Sequence, residues 1–312
     1  MQQILTPQQA AFLETCTDSQ SIALEALAGT GKTFSLQQWG NKSTRPGIAT
    51  SFSKSTVEEL VKKLGPKFPA KTFHALGLSA LKSGGKATKL DTSKMYNATK
   101  VLSEQHDIPF ELQGEIRSLA TMAKVYGIQP DPAGPEGLSP DTTDMWAALA
   151  DLYDIEFSDE ILTYAKQVVN LSNLSFKKDG LIDFDDMLYC PLIYPHRFSK
   201  VGIVLADEVQ DFNLLQHIML KRSLLPNGRV IAAGDPNQAI YAFRGALGNS
   251  YEELIKTFSM RQLPLTVSFR CPKAIIKVAQ EYVPHIEAAP TARLASTITN
   301  ICTCRRRLVQ AR

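Results

Sequence analysis

The sequence predicts an α/β fold built on a parallel sheet. Three observations carry this: short apolar runs recur along the chain, most are followed by a helical pattern, and one long helical stretch interrupts the series. The runs lie at 21–27 (SIALEAL), 47–52 (GIATSF), 201–206 (VGIVLA), 230–233 (VIAA) and 263–267 (LPLTV). Each is bounded by Gly, Pro or polar residues, as strands covered on both faces are. Helical patterns follow over 32–39, 54–64, 214–224 and 272–282. Alternating strand and helix argues for parallel pairing through crossovers. Between about 76 and 178 the rhythm breaks. Apolar spacing there predicts helices over 93–104, 111–126, 143–153 and 159–171, with a Pro/Gly-rich loop at 130–140 (PDPAGPEGLSP). A helical block between two strand-rich blocks reads as an insertion into one α/β domain. No internal repeat is visible.

Composition narrows the class. Of 312 residues, 44% are apolar and 21% charged, which excludes wholesale disorder. No stretch approaches the roughly 18 apolar residues of a membrane helix, so no membrane association is expected. Met1 to Pro7 offers neither a basic nor an apolar leader region, so a cytoplasmic location is expected. Cys16, Cys190 and Cys271 lie far apart, and the close pair Cys302 and Cys304 lacks a zinc-type spacing, so reduced thiols are expected. The formal charge of +3 (34 basic against 31 acidic residues) is unevenly placed. The 25 residues after Glu287 carry five arginines and no acid, which leaves 29 basic and 31 acidic residues, a net −2, in the body. Nucleic-acid binding therefore cannot be argued from charge. The triplet Arg305 to Arg307 reads as a solvated tail feature.

Residues 26–33 (ALAGTGKT) match a phosphate-binding loop, with Ala26 in the usual first-glycine place. Gly29 and Gly31 let the backbone curl so that successive N–H groups face phosphate oxygens. The helix that follows points its positive dipole end there. Lys32 supplies a charge for the β- and γ-phosphates, and the Thr33 hydroxyl is a natural Mg²⁺ ligand. A strand later in the chain runs into 207–211 (DEVQD). Asp207 is placed to hold Mg²⁺, and Glu208 to orient and deprotonate an attacking water. A base beside the metal ligand points to hydrolysis rather than transfer to a second substrate.

Together these residues resemble the UvrD/Rep-like superfamily-1 DNA helicases. The loop and DEVQD resemble motifs I and II. TSFSKSTVEEL (50–60) resembles motif Ia, KTFHAL (71–76) motif Ib, GDPNQAIYAFRGA (234–246) motif III and LTVSFRCP (265–272) motif IV. LTPQQAAFL (5–13) resembles the N-terminal glutamine motif, and GLIDFDDML (180–188) the segment ahead of motif II. Motifs I and Ia are similar to the F-box helicase branch. The match runs from residue 5 to about 283 in the family's order.

The resemblance implies a RecA-like P-loop NTPase domain, using ATP and Mg²⁺, with single-stranded DNA as partner. It implies a motor domain 1A over 1–76 and 178–262, a helical insertion 1B over 77–177, the start of a second motor domain 2A over 263–287, and an irregular basic tail over 288–312. Gln9 falls where the family's glutamine reads adenine. Ala26, Leu27, Ala28, Gly29, Thr30, Gly31, Lys32 and Thr33 form the nucleotide loop. Gln238 falls on a γ-phosphate sensor and Arg270 on a γ-phosphate-contacting arginine, beside the catalytic Lys32, Asp207 and Glu208. Phe52, His74, Tyr241, Phe243 and Arg244 fall on the DNA side, with Phe243 in place of the common tryptophan.

From the residues alone, Phe73 reads as core and Phe52 is open between core and DNA. His106, His196 and His217 read as structural or surface residues, and Asp183, Asp185 and Asp186 as helix-start or surface carboxylates. Motifs V and VI are not found, so a truncated or frame-shifted motor is expected, one that needs a second motor domain or a full-length helicase partner. The competing reading is a non-catalytic ATP- and DNA-binding module that recruits or regulates a helicase. A phosphate-loop kinase is third, and motifs III and IV speak against it.

Overall fold

The computed structural model describes residues 5–85, 87–129, 137–194, 196–239 and 248–294. Helix α1 (Pro7–Glu14) leads to strand β1 (Ile22–Ala26), α2 (Lys32–Lys42), β2 (Ile48–Ser51), α3 (Lys54–Lys63), β3 (Ala70–Thr72) and α4 (Phe73–Ser83). A helical excursion follows, from β4 (Lys89–Leu90) through α5 (Lys94–His106), α6 (Phe110–Val125), α7 (Thr143–Leu152) and α8 (Asp159–Asp179) to β5 (Leu181–Ile182). The chain then returns through α9 (Asp186–Ile193), β6 (Val201–Asp207), α10 (Leu214–Arg222), β7 (Leu224–Gly234), α11 (Ser250–Phe258) and β8 (Arg261–Leu265). It ends in β9 (Val267–Ser268), α12 (Lys273–Ala279) and β10 (Glu287–Ala288).

Six strands make one sheet in the order β3-β2-β6-β7-β1-β8, and every neighbouring pair is parallel. The expected α/β architecture holds. Side chains alternate across a strand, and the alternation divides the core in two. Ile203 and Leu205 of β6 join Ile231 and Ala233 of β7 under α1, α2 and α3, around Phe12, Leu36 and Trp39. Val204, Ala206, Val230 and Ala232 face the other way, into a larger core with Phe73, Phe212 and the helical excursion. Phe73 is core, as its position predicts.

Local chemistry sets the helix starts. Thr6 caps α1 in a capping box with Gln9, and Asn213 caps α10 in another with Gln216. Ser53, Thr72 and Ser158 each accept an N–H at the start of α3, α4 and α8. Helix α8 runs eight residues past the expected end at 171, because nothing breaks it before Gly180. There a left-handed φ of 68° stops the helix. β3 and the two-residue strands were not legible as apolar runs. β4 and β5 pair in parallel, Lys89 opposite Leu181, and so close the neck of the excursion. Among the described residues, no helix is long and apolar enough to cross a membrane.

Asp185 and Asp186 stand at the start of α9, as expected, with Asp185 its half-buried N-cap, but Asp183 and Asp186 are buried and are not surface carboxylates. Asp186 is 0% exposed. Its Oδ2 lies 2.5 Å from Lys94 Nζ of α5, and its Oδ1 lies 2.8 Å from Lys124 Nζ of α6. Lys124, also 0% exposed, reaches Asp183 Oδ2 at 2.8 Å as well. Burial alone would push the Lys124 ammonium down, but Asp186 and Asp183 override it and hold its pKa up. Burial works against the Asp186 carboxylate too, and the two lysines override it and hold its pKa down. The partners lie sixty to ninety residues away, which is why sequence spacing could not show them. Removing one member leaves an uncompensated buried charge. Asp186→Ala should therefore lower the unfolding free energy by about 3–5 kcal/mol in urea denaturation. A change under about 1 kcal/mol would show that water reaches the cluster.

Candidate functional site

All six strands end on one edge of the sheet, and the turns that leave β1, β2, β3, β6, β7 and β8 gather there. After β1 the chain enters the loop 27–31, where Gly29 (φ 75°) and Gly31 (φ 82°) take left-handed conformations that other side chains resist. Gly31 is the N-cap of α2, so that helix starts on the loop itself. The Thr30 hydroxyl turns back to the Leu27 carbonyl at 2.8 Å. Ala26 and Leu27 are core side chains, and their share in any ligand contact falls to the backbone.

The acidic motif meets this loop. The Thr33 hydroxyl donates to Asp207 Oδ2 at 2.7 Å, and Lys32 forms an ion pair with Glu208. Asp207 is buried, and burial together with the neighbouring Glu208 charge pushes its carboxyl up to about 6. Glu208 itself sits at φ 56°, a left-handed conformation unusual for a residue with a side chain. A hydroxyl and a carboxylate side by side are the hard oxygen donors that Mg²⁺ takes, so the residues present fit that ion.

A cavity of about 370 Å³ opens over the loop, lined by Gly29, Lys32, Thr33, Glu208, Gln238 and Arg270 among others. The segment after β8 forms its far wall. The Ser268 hydroxyl donates to the Ala28 carbonyl at 2.8 Å, and the Phe269 N–H donates to the Gly29 carbonyl at 2.9 Å. Gln8 clasps Thr266 of the same segment, accepting from its N–H at 2.9 Å. Gln9, in contrast, lies buried behind the loop. Its amide accepts from the Thr6 N–H at 3.0 Å and donates to the Thr30 carbonyl at 3.4 Å. Two aromatic residues to which sequence reasoning gave no role, Phe34 and Phe269, line the cavity.

A second cavity, of about 560 Å³, shares Glu208 and Gln238 with the first and adds Phe52, Lys54, His74, Gln210 and Asp211. Phe52 and His74 thus lie together, next to the acidic motif. Both also line a third cavity of about 320 Å³ that runs toward Met122 and Val125 of α6. Burial lowers the His74 pKa and keeps the ring neutral near pH 7. Tyr241, Phe243 and Arg244 lie outside the described residues.

A buried link braces the acidic motif from behind. His217 Nε2 lies 2.8 Å from Ser250 Oγ, whose one proton goes to the Val209 carbonyl at 2.6 Å. Nε2 must therefore carry the proton of the first bond. Burial pushes the His217 pKa down to about 4.

A family model described as the UvrD/REP helicase N-terminal domain matches residues 5–259. The chain is 29% identical over 135 residues to the ATP-dependent DNA helicase srs2 of Schizosaccharomyces pombe, which covers 42% of this chain and 15% of that protein. It is 22% identical over 299 residues to the F-box DNA helicase protein 1 of the same yeast, covering 88% of this chain and 32% of that protein. The chain therefore spans less than a third of each of these two relatives. A solved structure of Pif1 helicases acting at forked DNA aligns with a TM-score of 0.41 at 14% identity, covering 91% of this chain and 49% of that one.

Two outcomes follow from the geometry. A Cβ on Gly29 would sit 2.5 Å from Arg270 Cβ and 2.8 Å from Ser268 Oγ, at a φ that L residues avoid. Gly29→Ala should thus push the 268–270 wall off the loop and weaken nucleotide binding by about tenfold or more in a direct titration; unchanged affinity would show that the wall is free to yield. The His217 pKa falls from 6.5 in the unfolded chain to about 4 in the folded one. Between these values the unfolded chain binds more protons, so the contribution is complete above about pH 6.5 and is lost as pH falls toward 4. Urea midpoints measured across that window should fall more steeply for the wild type than for His217→Gln. Parallel curves would sink this assignment.

Proposed function

The chain belongs to the UvrD/REP helicase N-terminal domain family, and from that premise we propose that it is the ATP-hydrolysing half of a DNA helicase or translocase motor. In this reading residues 1–76 and 178–262 form the motor domain, 77–177 its helical insertion and 263–287 the start of a second motor domain. The substrates are ATP with Mg²⁺ and single-stranded DNA. A second motor domain or a helicase partner completes the engine. The observation that carries the reading is the meeting of the phosphate loop and the acidic motif, Thr33 with Asp207 and Lys32 with Glu208.

The roles follow from the chemistry of each group. The loop's N–H groups and the Lys32 ammonium take up phosphate charge. Thr33 and Asp207 would hold Mg²⁺, which when bound neutralises charge on the β- and γ-phosphates. Glu208 orients the attacking water and accepts its proton. Arg270 and Gln238 stand on the cavity wall beside the terminal phosphate's place. Phe34 and Phe269 offer flat apolar faces to the nucleotide. Phe52 and His74 line the adjoining cavity, where an aromatic face and a neutral imidazole suit unpaired bases better than duplex phosphates. This agrees with the net −2 of the body.

The test is hydrolysis. Single-stranded DNA should stimulate ATP turnover, measured with a second-half domain supplied if the chain alone is slow. Glu208→Gln should cut turnover by about 100-fold or more while MgATP still binds. Lys32→Ala should lose both binding and turnover, and Phe52→Ala should weaken oligonucleotide binding by about tenfold. Nucleotide binding with no turnover under any of these conditions would replace the motor with a binding module.

A further inference from the structure

Glu208 and Gln238 are the two side chains common to the nucleotide cavity and its neighbour. Both are tied to a single buried amide. Gln210, 3% exposed, donates from Nε2 to Glu208 Oε2 at 2.9 Å and to Asp211 Oδ2 at 3.2 Å. Its Oε1 accepts the backbone N–H of Asp235 at 3.1 Å. Asp235 in turn accepts the Gln238 side-chain amide on its carboxylate, and its other oxygen caps Asn237 N at 3.1 Å. The oxygen end of the amide packs close against Gly234. A Cβ on Gly234 would already stand 3.0 Å from Gln210 Oε1, with Val209 and Tyr251 as close.

The orientation of this amide is set by charge. Its NH₂ faces two carboxylates, and its oxygen faces an N–H; reversing it would break all three bonds and place oxygen against oxygen. We propose that Gln210 is a positioning residue that holds the Glu208 carboxylate and the Asp235 to Gln238 turn as one unit, so that a ligand change in the nucleotide cavity is transmitted to the cavity holding Phe52 and His74. This rests on the motor reading above. A glutamine suits the task because only a side chain with two donors and an acceptor bridges two carboxylates and a backbone N–H at once.

The test uses the full chain with Gln210→Glu and Gln210→Ala. Gln210→Glu keeps the shape and the acceptor for Asp235 but sets a third carboxylate against Glu208 and Asp211. With MgATP and a dT oligonucleotide, both variants should keep KM within about twofold and lose about tenfold or more in strand-stimulated kcat. Oligonucleotide affinity measured with and without a non-hydrolysable ATP analogue should differ by about fivefold or more in the wild type and under twofold in the variants. A kcat and a nucleotide effect that match the wild type overturn the proposal. So does a matched loss of KM, kcat and melting temperature, which would mark a merely structural residue. Hydrogen exchange reads the tie without any ligand. The Asp235 amide should exchange about tenfold faster in Gln210→Ala while β1 and β2 are unchanged, and an unaltered Asp235 amide overturns the proposal by itself. A wild type that binds no MgATP fails the motor reading instead, whatever the exchange shows.

Discussion

Parallel pairing forces each strand to be followed by a crossover, and so every strand end falls on the same edge of the sheet. From this constraint the candidate site follows. Residues far apart in sequence, Lys32 after β1, Phe52 after β2, His74 after β3, Glu208 after β6, Gln238 after β7 and Arg270 after β8, are delivered to one rim. β7 lies between β1 and β6 in the sheet, yet the loops after β1 and β6 meet across it through Thr33 and Asp207. The strands beneath are buried on both faces, which holds these short turns on a rigid base.

The helical excursion depends on a different kind of interaction. Its neck is closed by only two residues on each side, at β4 and β5. Beyond its apolar packing, it is tied to the rest of the chain by Lys94 and Lys124, which reach out of α5 and α6 to Asp183 and Asp186. An apolar contact would tolerate a slide of an ångström or more; a buried ammonium between two carboxylates does not, because each displaced bond leaves a charge without a partner.

Much of this was legible in the sequence. The phosphate loop, DEVQD and the order of the other motifs marked the strands and their turns, because each requires a particular residue at a particular backbone position. Strands with continuous apolar runs, such as β1 and β6, were readable for the same reason. β3 was not: at three residues (AKT) it carries no period. The burial of Asp183 and Asp186 was hidden because their partners belong to other helices, and a carboxylate written beside a helix start looks solvated. Gln210 stood inside a motif already singled out, but its role depends on the Asp235 N–H, which only folding brings near.

Glu208 carries one more consequence. Its left-handed backbone, at φ 56° and ψ 43°, costs on the order of 1–3 kcal/mol for a residue with a side chain. Glycine or asparagine would relieve that strain and would also discard the carboxylate. A laboratory selection for thermal endurance alone would thus drift toward those residues at this position, whereas a selection that also demands turnover would hold the glutamate. The position is therefore a gauge of which pressure a lineage has been under, readable from one codon.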